Sequence, residues 1–109
     1  MMKEVLEPLG KSGLLFRRFE PFDLKTVGSR KRIGVYFGVD EEGRYTLVFH
    51  VRRKSRVLRR DVQEWMELRE KIEAHFGHPI LRNVALIEAP LCSKAKALLE
   101  SEGWLVIVP

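Results

Sequence analysis

Two alternating runs joined by four turn-forming residues constrain this chain most. RIGVYFGV, residues 32–39, puts Ile33, Val35, Phe37 and Val39 on one face and Gly34, Tyr36 and Gly38 on the other. RYTLVFHVR, residues 44–52, sets Tyr45, Leu47, Phe49 and Val51 against Thr46, Val48, His50 and Arg52. Period-two alternation is what an extended chain needs to bury one face. DEEG, residues 40–43, supplies a turn between them. The pair predicts a β-hairpin. A turn centred near Glu42 places Gly34 opposite His50 and Arg32 opposite Arg52.

The flanking segments extend the hairpin into a mixed sheet. Residues 3–9 suit a short helix ended by Pro8 and Gly10, and LLFRRF, 14–19, a strand that Pro21 interrupts. KTVGSRK, 25–31, reads as a basic loop. DVQEWMELREKIEAHFG, 61–77, carries Val62, Trp65, Met66, Ile72 and Phe76 at helical spacing. Asp61 with Glu64 three residues on resembles a capping box, and Gly77 and Pro79 stop the helix. VALIEA, 84–89, is a short buried strand. SKAKALLESEG, 93–103, is a helix with Ser93 as N-cap and Gly103 as its stop. WLVIV, 104–108, is a last strand. The order is α-β-β-β-α-β-α-β. Strand–helix–strand–helix–strand in the second half implies parallel crossovers. The expected fold is α/β: one mixed sheet of about five strands with helices on its faces, within a single domain over 1–109.

Composition sets limits on function. At 109 residues, with 45% hydrophobic and 32% charged, the chain is suited to one modest core. No apolar run reaches the length of a membrane span, so no membrane role is expected. MMKEVLEPLGKSG has no apolar stretch of the signal-peptide kind. Cys92 is the one cysteine, so no internal disulfide can form, which favours a reducing, cytoplasmic setting. A single Asn, a single Gln and many Arg and Glu resemble proteins from hot environments.

The charge is lopsided. Residues 1–60 hold 15 Lys and Arg against 7 Asp and Glu; residues 61–109 hold 5 against 8. Within LVFHVRRKSRVLRR, 47–60, a half-buried strand runs straight into Arg52, Arg53, Lys54, Arg56, Arg59 and Arg60. Arg30, Lys31 and Arg32 belong at the end of the second strand, so the hairpin brings the two basic groups to one place. Free N–H groups and the dipole at a helix start favour an anion, and arginine adds bidentate contacts. Like charges opposite each other repel, so a polyanion between Arg32 and Arg52 would relieve strain. The alternative is a solvated surface, or pairing with Glu on neighbouring helices. Tyr36 shares the face of His50 and is expected to line the same nucleic-acid-binding cleft. His50 is either a polar residue in a cleft or a half-buried strand histidine with one hydrogen bond satisfied. His75, His78 and Cys92 show no metal-ligand spacing. Trp65, Met66 and Phe76 read as core.

In element order, in the strand that runs into basic residues and a helix, and in the ending ALIEAP…KAKALLESEGWLVI, the sequence resembles the PD-(D/E)xK, or restriction-endonuclease-like, superfamily over roughly 14–108. The archaeal Holliday-junction-resolvase-like members are similar in this way. The resemblance implies an acid on the second strand and an (Asp/Glu)-x-Lys on the third, which bind Mg²⁺ and activate water. Here Phe49-His50-Val51-Arg52 stands at the third-strand positions, and the second-strand acid falls near Gly34 or Tyr36. Gln63 is followed four residues on by Glu67, so a Gln-x-x-x-Tyr helix motif is incomplete. Mg²⁺ prefers carboxylate oxygens, and arginine does not release its proton. Asp40 lies six residues from Gly34 along the strand, about 20 Å away at ~3.3 Å per residue, too far to share a metal. Glu20 and Asp23 remain as relocated acids if the first strand pairs beside Gly34.

The sequence thus predicts a non-catalytic nuclease-like domain. It binds a DNA or RNA backbone, DNA favoured, through the basic strand–helix junction and needs no cofactor. Two alternatives stand beside it. One is a divergent Mg²⁺-dependent endonuclease using Glu20, Asp23 or His50. The other is a protein-interaction module, either a homodimer or part of a larger nucleic-acid-processing assembly.

Overall fold

The computed structural model describes residues 2–109. Five strands form one sheet in the order β1-β2-β3-β4-β5, with β1 Phe16–Pro21, β2 Gly34–Asp40, β3 Tyr45–Arg52, β4 Arg82–Glu88 and β5 Leu105–Ile107. β1, β2 and β3 pair antiparallel, and β3, β4 and β5 pair parallel. The helices are α1 Met2–Lys11, α2 Arg59–Phe76 and α3 Ser93–Ser101, with a short 3₁₀ turn at Leu24–Val27. The element order is the one expected. No helix among the described residues is long and apolar enough to cross a membrane.

Alternation divides the core into two layers. Val35, Leu47, Phe49, Val51, Ala85 and Ile87 face α2, α3 and the 3₁₀ turn. Phe49 is fully buried between the edges of Trp65 and Trp104, at ring distances of 6.5 and 5.2 Å. The other face is thinner. Val48, Val84 and Leu86 meet Val5 and Leu9 of α1, with Phe16, Phe19 and Tyr36 at the margin. Phe16 and Phe19 share that face despite their odd spacing, because the register slips between Phe16 and Arg18. Such a bulge turns one residue over. Gly38 makes room for the pair, since a Cβ there would sit 2.7 Å from the Phe16 ring.

The hairpin is locked at its turn. Asp40 Oδ1 accepts from the amides of Glu42 and Arg44, both at 2.9 Å, and Gly43 takes the positive φ of 82° that the turn needs. This lock fixes the register: Gly34 opposite His50 and Val35 opposite Phe49, as the turn predicts.

Several boundaries differ from expectation. α2 starts at Arg59, not Asp61, because Asp61 is its third residue and accepts from the Leu58 amide at 2.8 Å. Cys92, not Ser93, caps α3, which ends at Ser101. The basic loop at 25–31 begins as the 3₁₀ turn, capped by the Asp23 carboxylate on the Lys25 amide. Of the α2 core residues, Val62, Trp65 and Ile72 are buried, Met66 and Phe76 only partly, and Leu68 joins them.

Candidate functional site

The carboxyl ends of β3 and β4, the start of β2 and the N-termini of α2 and α3 lie at one end of the sheet. In open α/β sheets this is where ligands bind, because the loops there are free to vary. Here it is also where the basic residues gather.

At its centre Gly34 faces His50, and the Tyr36 ring lies over Gly34. A Cβ at Gly34 would meet Tyr36 at 3.3 Å and His50 at 3.4 Å. The parallel register sets Arg52 beside Glu88. His50 Nε2 contacts the Glu88 carboxylate, and Arg52 reaches Glu4 of α1 at 3.3 Å. His50 is thus a mostly buried strand histidine whose partner is an acid on the next strand. Sequence reasoning missed Glu88. Its only signal was a carboxylate ending an otherwise apolar strand, LIEA.

The relocated acids do not converge on this point. Glu20 pairs with Phe37, so it points to the α2 face, away from His50, and binds Arg18 at 2.9 Å. Asp23 caps the 3₁₀ turn. Among the described residues no three His, Cys, Asp or Glu side chains come close enough to hold a metal ion. A His–Glu contact flanked by arginine offers one carboxylate already engaged, a poor match for a cation that seeks several oxygens. The donor set does not fit Mg²⁺.

The basic residues fall into two groups. Three are engaged. Lys31 binds Glu64 at 2.6 Å and Arg52 binds Glu4. Arg53 binds Asp61 at 2.7 Å, and it also donates to the carbonyls of Ser55 and Arg56. Arg53 is therefore a clasp that folds the 53–58 loop onto the start of α2. Arg30, Arg32, Lys54, Arg56, Arg59 and Arg60 are exposed and make no ion pair among the described residues. Arg32 does not pair with Arg52, because β2 begins only at Gly34. Arg59 and Arg60 sit inside the first turn of α2 rather than before it.

The local field is positive. Amides of Ala95 and Lys94 at the start of α3, with the charges of Arg56 and Lys94, hold the Cys92 thiol below its usual range. Burial pushes Asp61 up, but the Leu58 amide and Arg53 outweigh it and leave the carboxyl lowered. Beside this edge a cleft of about 430 Å³ opens between the ends of β1 and β2 and the 3₁₀ turn.

A mixed five-stranded sheet with α1 on one face and α2 and α3 on the other is the nuclease-like α/β fold. No family model and no curated protein sequence matches the chain. Among solved structures it is similar to EndoMS in its apo form, with a TM-score of 0.61 and 21% identity over 98% of this chain and 45% of that one. It is similar to a repair endonuclease from Pyrococcus abyssi, with a TM-score of 0.56 and 22% identity over 99% and 45%. EndoMS in complex with double-stranded DNA matches with a TM-score of 0.53 and 21% identity over 97% and 43%. At these identities the likeness is one of fold, and the chain spans less than half the length of each neighbour.

Proposed function

We propose that this chain holds a nucleic-acid backbone, DNA in preference to RNA, without cutting it. The observation that carries the reading is the group of six exposed cations, without an ion pair among the described residues, at the end of the sheet where ligands bind in such folds. His50 and Arg52 stand at the positions where the resembling family has an acid and a lysine. With Glu20 turned to the other face, the chemistry left at this edge is attraction to phosphate. Arg56, Arg59 and Arg60, with Lys54, contact phosphates at the start of α2, and Arg30 and Arg32 contact phosphates before the start of β2. That a solved neighbour is an EndoMS complex with double-stranded DNA supports DNA as the polymer.

The test is fluorescence anisotropy with a labelled duplex at two salt concentrations. Each phosphate neutralised adds about 0.9 to the slope of log affinity against log salt for a duplex. A slope of several units that falls in the Arg56→Ala, Arg59→Ala, Arg60→Ala triple variant supports the reading. Affinity that ignores salt, or survives the triple change, ends it. Cleavage with Mg²⁺ or Mn²⁺ would overturn the non-catalytic half.

A further inference from the structure

The fold adds one cation to the edge that neither basic run of the sequence contains. Lys94 stands in the first turn of α3. The loops that lead into α2 and α3 are tied side by side. The Val57 amide donates to the Pro90 carbonyl at 2.8 Å, and the Cys92 amide donates to the Val57 carbonyl at 3.0 Å, forming a short parallel bridge between Val57 and Leu91. Both helices pack on the same face of the sheet. A groove of about 350 Å³ runs between them, with Arg59 on the α2 wall and Lys94, Ala97, Leu98 and Ser101 on the α3 wall.

We infer that a bound nucleic-acid strand continues from the basic edge into this groove, with one phosphate between Arg59 and Lys94 and a sugar on Ala97 and Leu98. The inference rests on the nucleic-acid reading of the edge and gives the strand a direction, across α3 on the face that carries α2, and not over the His50 side of the sheet.

The groove is lined by no carboxylate. Four other clefts each have one: Asp23 at the ends of β1 and β2, Glu64 beside the loop at 28–31, Glu7 beside α1 and Glu73 at the far end of α2. An anion therefore meets attraction here without a nearby opposing charge in the walls. Arg59 and Lys94 are exposed and make no ion pair among the described residues, so a phosphate displaces no partner. Lys94, Ala97, Leu98 and Ser101 recur at helical spacing and form one stripe of α3. Beyond Lys94 the stripe asks for little water. Leu98 is half-buried, Ala97 is small, and the Ser101 hydroxyl already donates to the Leu98 carbonyl at 2.8 Å. The carbon–hydrogen surface of a sugar suits such a floor, and the phosphate next to it reaches the two cations. Arg56 belongs to the same field. The Cys92 thiol, lowered first by the Ala95 and Lys94 amides, also feels the charges of Arg56 and Lys94. The thiol thus sits beside the strand and reports on it.

The experiment measures the salt dependence of duplex binding by fluorescence anisotropy for the full chain and its Lys94→Ala, Lys94→Arg and Lys96→Ala variants, each checked by thermal melting. Lys96 has the same charge on the same helix but does not line the groove. Lys94→Ala should lower the slope of log affinity against log salt by about 0.9, the share of one phosphate, while Lys94→Arg and Lys96→Ala keep it. In the unaltered chain, saturating duplex should slow alkylation of Cys92 by iodoacetamide, because a phosphate beside Arg56 and Lys94 cancels charge that favours the thiolate. A slope that Lys94→Ala leaves intact, an equal loss in Lys96→Ala, or alkylation that duplex does not slow overturns the groove. The backbone reading then stands or falls on the triple arginine variant alone. Duplex binding by the unaltered chain that ignores salt overturns both. Inorganic pyrophosphate that protects Cys92 as well as duplex does, at equal phosphate concentration, makes the ligand a free phosphate and overturns the strand assignment.

Discussion

The two ends of the sheet use arginine differently: one is built around three arginines in ion pairs, and the other adds exposed, unpaired cations to the engaged Arg52 and Arg53. At the end where β2 finishes and β3 and β4 begin, Arg44, Arg69 and Arg82 each meet a carboxylate. Arg44 binds Asp40 at 2.8 Å, Arg82 binds the same acid at 3.3 Å, and Arg69 binds Glu73 at 3.0 Å. At the other end six cations face solvent without an ion pair among the described residues. Paired and withdrawn charge is structural, because a guanidinium out of solvent needs its partners. Unpaired charge gathered in one place leaves the fold no return, and two of these arginines sit at a helix start, where the dipole opposes them. A local conflict of that kind is expected where a surface serves binding.

The sharpest way to break the comparison is Arg69→Ala. Arg69 donates to Asn83, to Glu73 and to the Ile80 carbonyl, while Glu73 accepts from the Ile80 amide at 2.8 Å. The side chain thus joins α2 to the 77–81 loop and to β4. Its removal leaves the Glu73 carboxylate with the Ile80 amide alone and takes the guanidinium donor from the Ile80 carbonyl. That should cost about 2–4 kcal/mol in urea unfolding, with nucleic-acid affinity unchanged in the folded fraction. A loss below about 0.5 kcal/mol would make this end as dispensable as an ordinary surface.

How far the sequence discloses these two ends depends on the range of the interactions. The hairpin register was readable because alternation and the Asp40–Gly43 turn are local, and it put Gly34 against His50. Glu88 was not readable, because a parallel register is set by how α2 packs over the crossover, not by any turn. The face of Glu20 depended on a bulge that no glycine announces. The start of α2 was misplaced because Asp61 looks like an N-cap, whereas an acid at the third helical position serves Leu58 instead. Which arginines are clasps and which are exposed was hidden for the same reason. Arg53 and Arg56 read alike in sequence, and only the folded loop gives Arg53 its carbonyls and Asp61.

Acid should test the paired end next. The Arg44 amide, ahead of opposing burial, holds the Asp40 carboxyl below its ordinary 3.8. The Ile80 amide, with Arg69, holds Glu73 below its ordinary 4.5. A depressed folded value means the unfolded chain takes up protons first, so both groups stabilise the fold fully above these ordinary values. That stabilisation is lost as pH falls through the lowered ones. Stability measured from pH 6 to 3 should decline along this limb. Glu73→Gln should flatten it and lower the plateau near neutrality. A limb that Glu73→Gln leaves unchanged would mean that this carboxylate carries none of it.

The smallest expected effect is also the one whose sign matters most. Arg59 and Arg60 occupy the first turn of α2, where the helix presents unpaired amides and a positive end. Replacing a cation there removes a repulsion of roughly 0.3–1 kcal/mol at low ionic strength. Arg60 also interacts favourably with Asp61, which offsets part of its gain, so Arg59→Ala should stabilise more than Arg60→Ala. Both variants should shift the urea midpoint upward by a few tenths of a kcal/mol in free energy, and each should lower the salt dependence of duplex binding by about one phosphate. Greater stability with weaker binding in one substitution is the signature of a residue kept for its ligand. If Arg59→Ala instead destabilised the chain and left the salt slope intact, the arginine would belong with Arg53 and Arg69 as part of the framework, and the contrast between the two ends would fail at its most exposed residue.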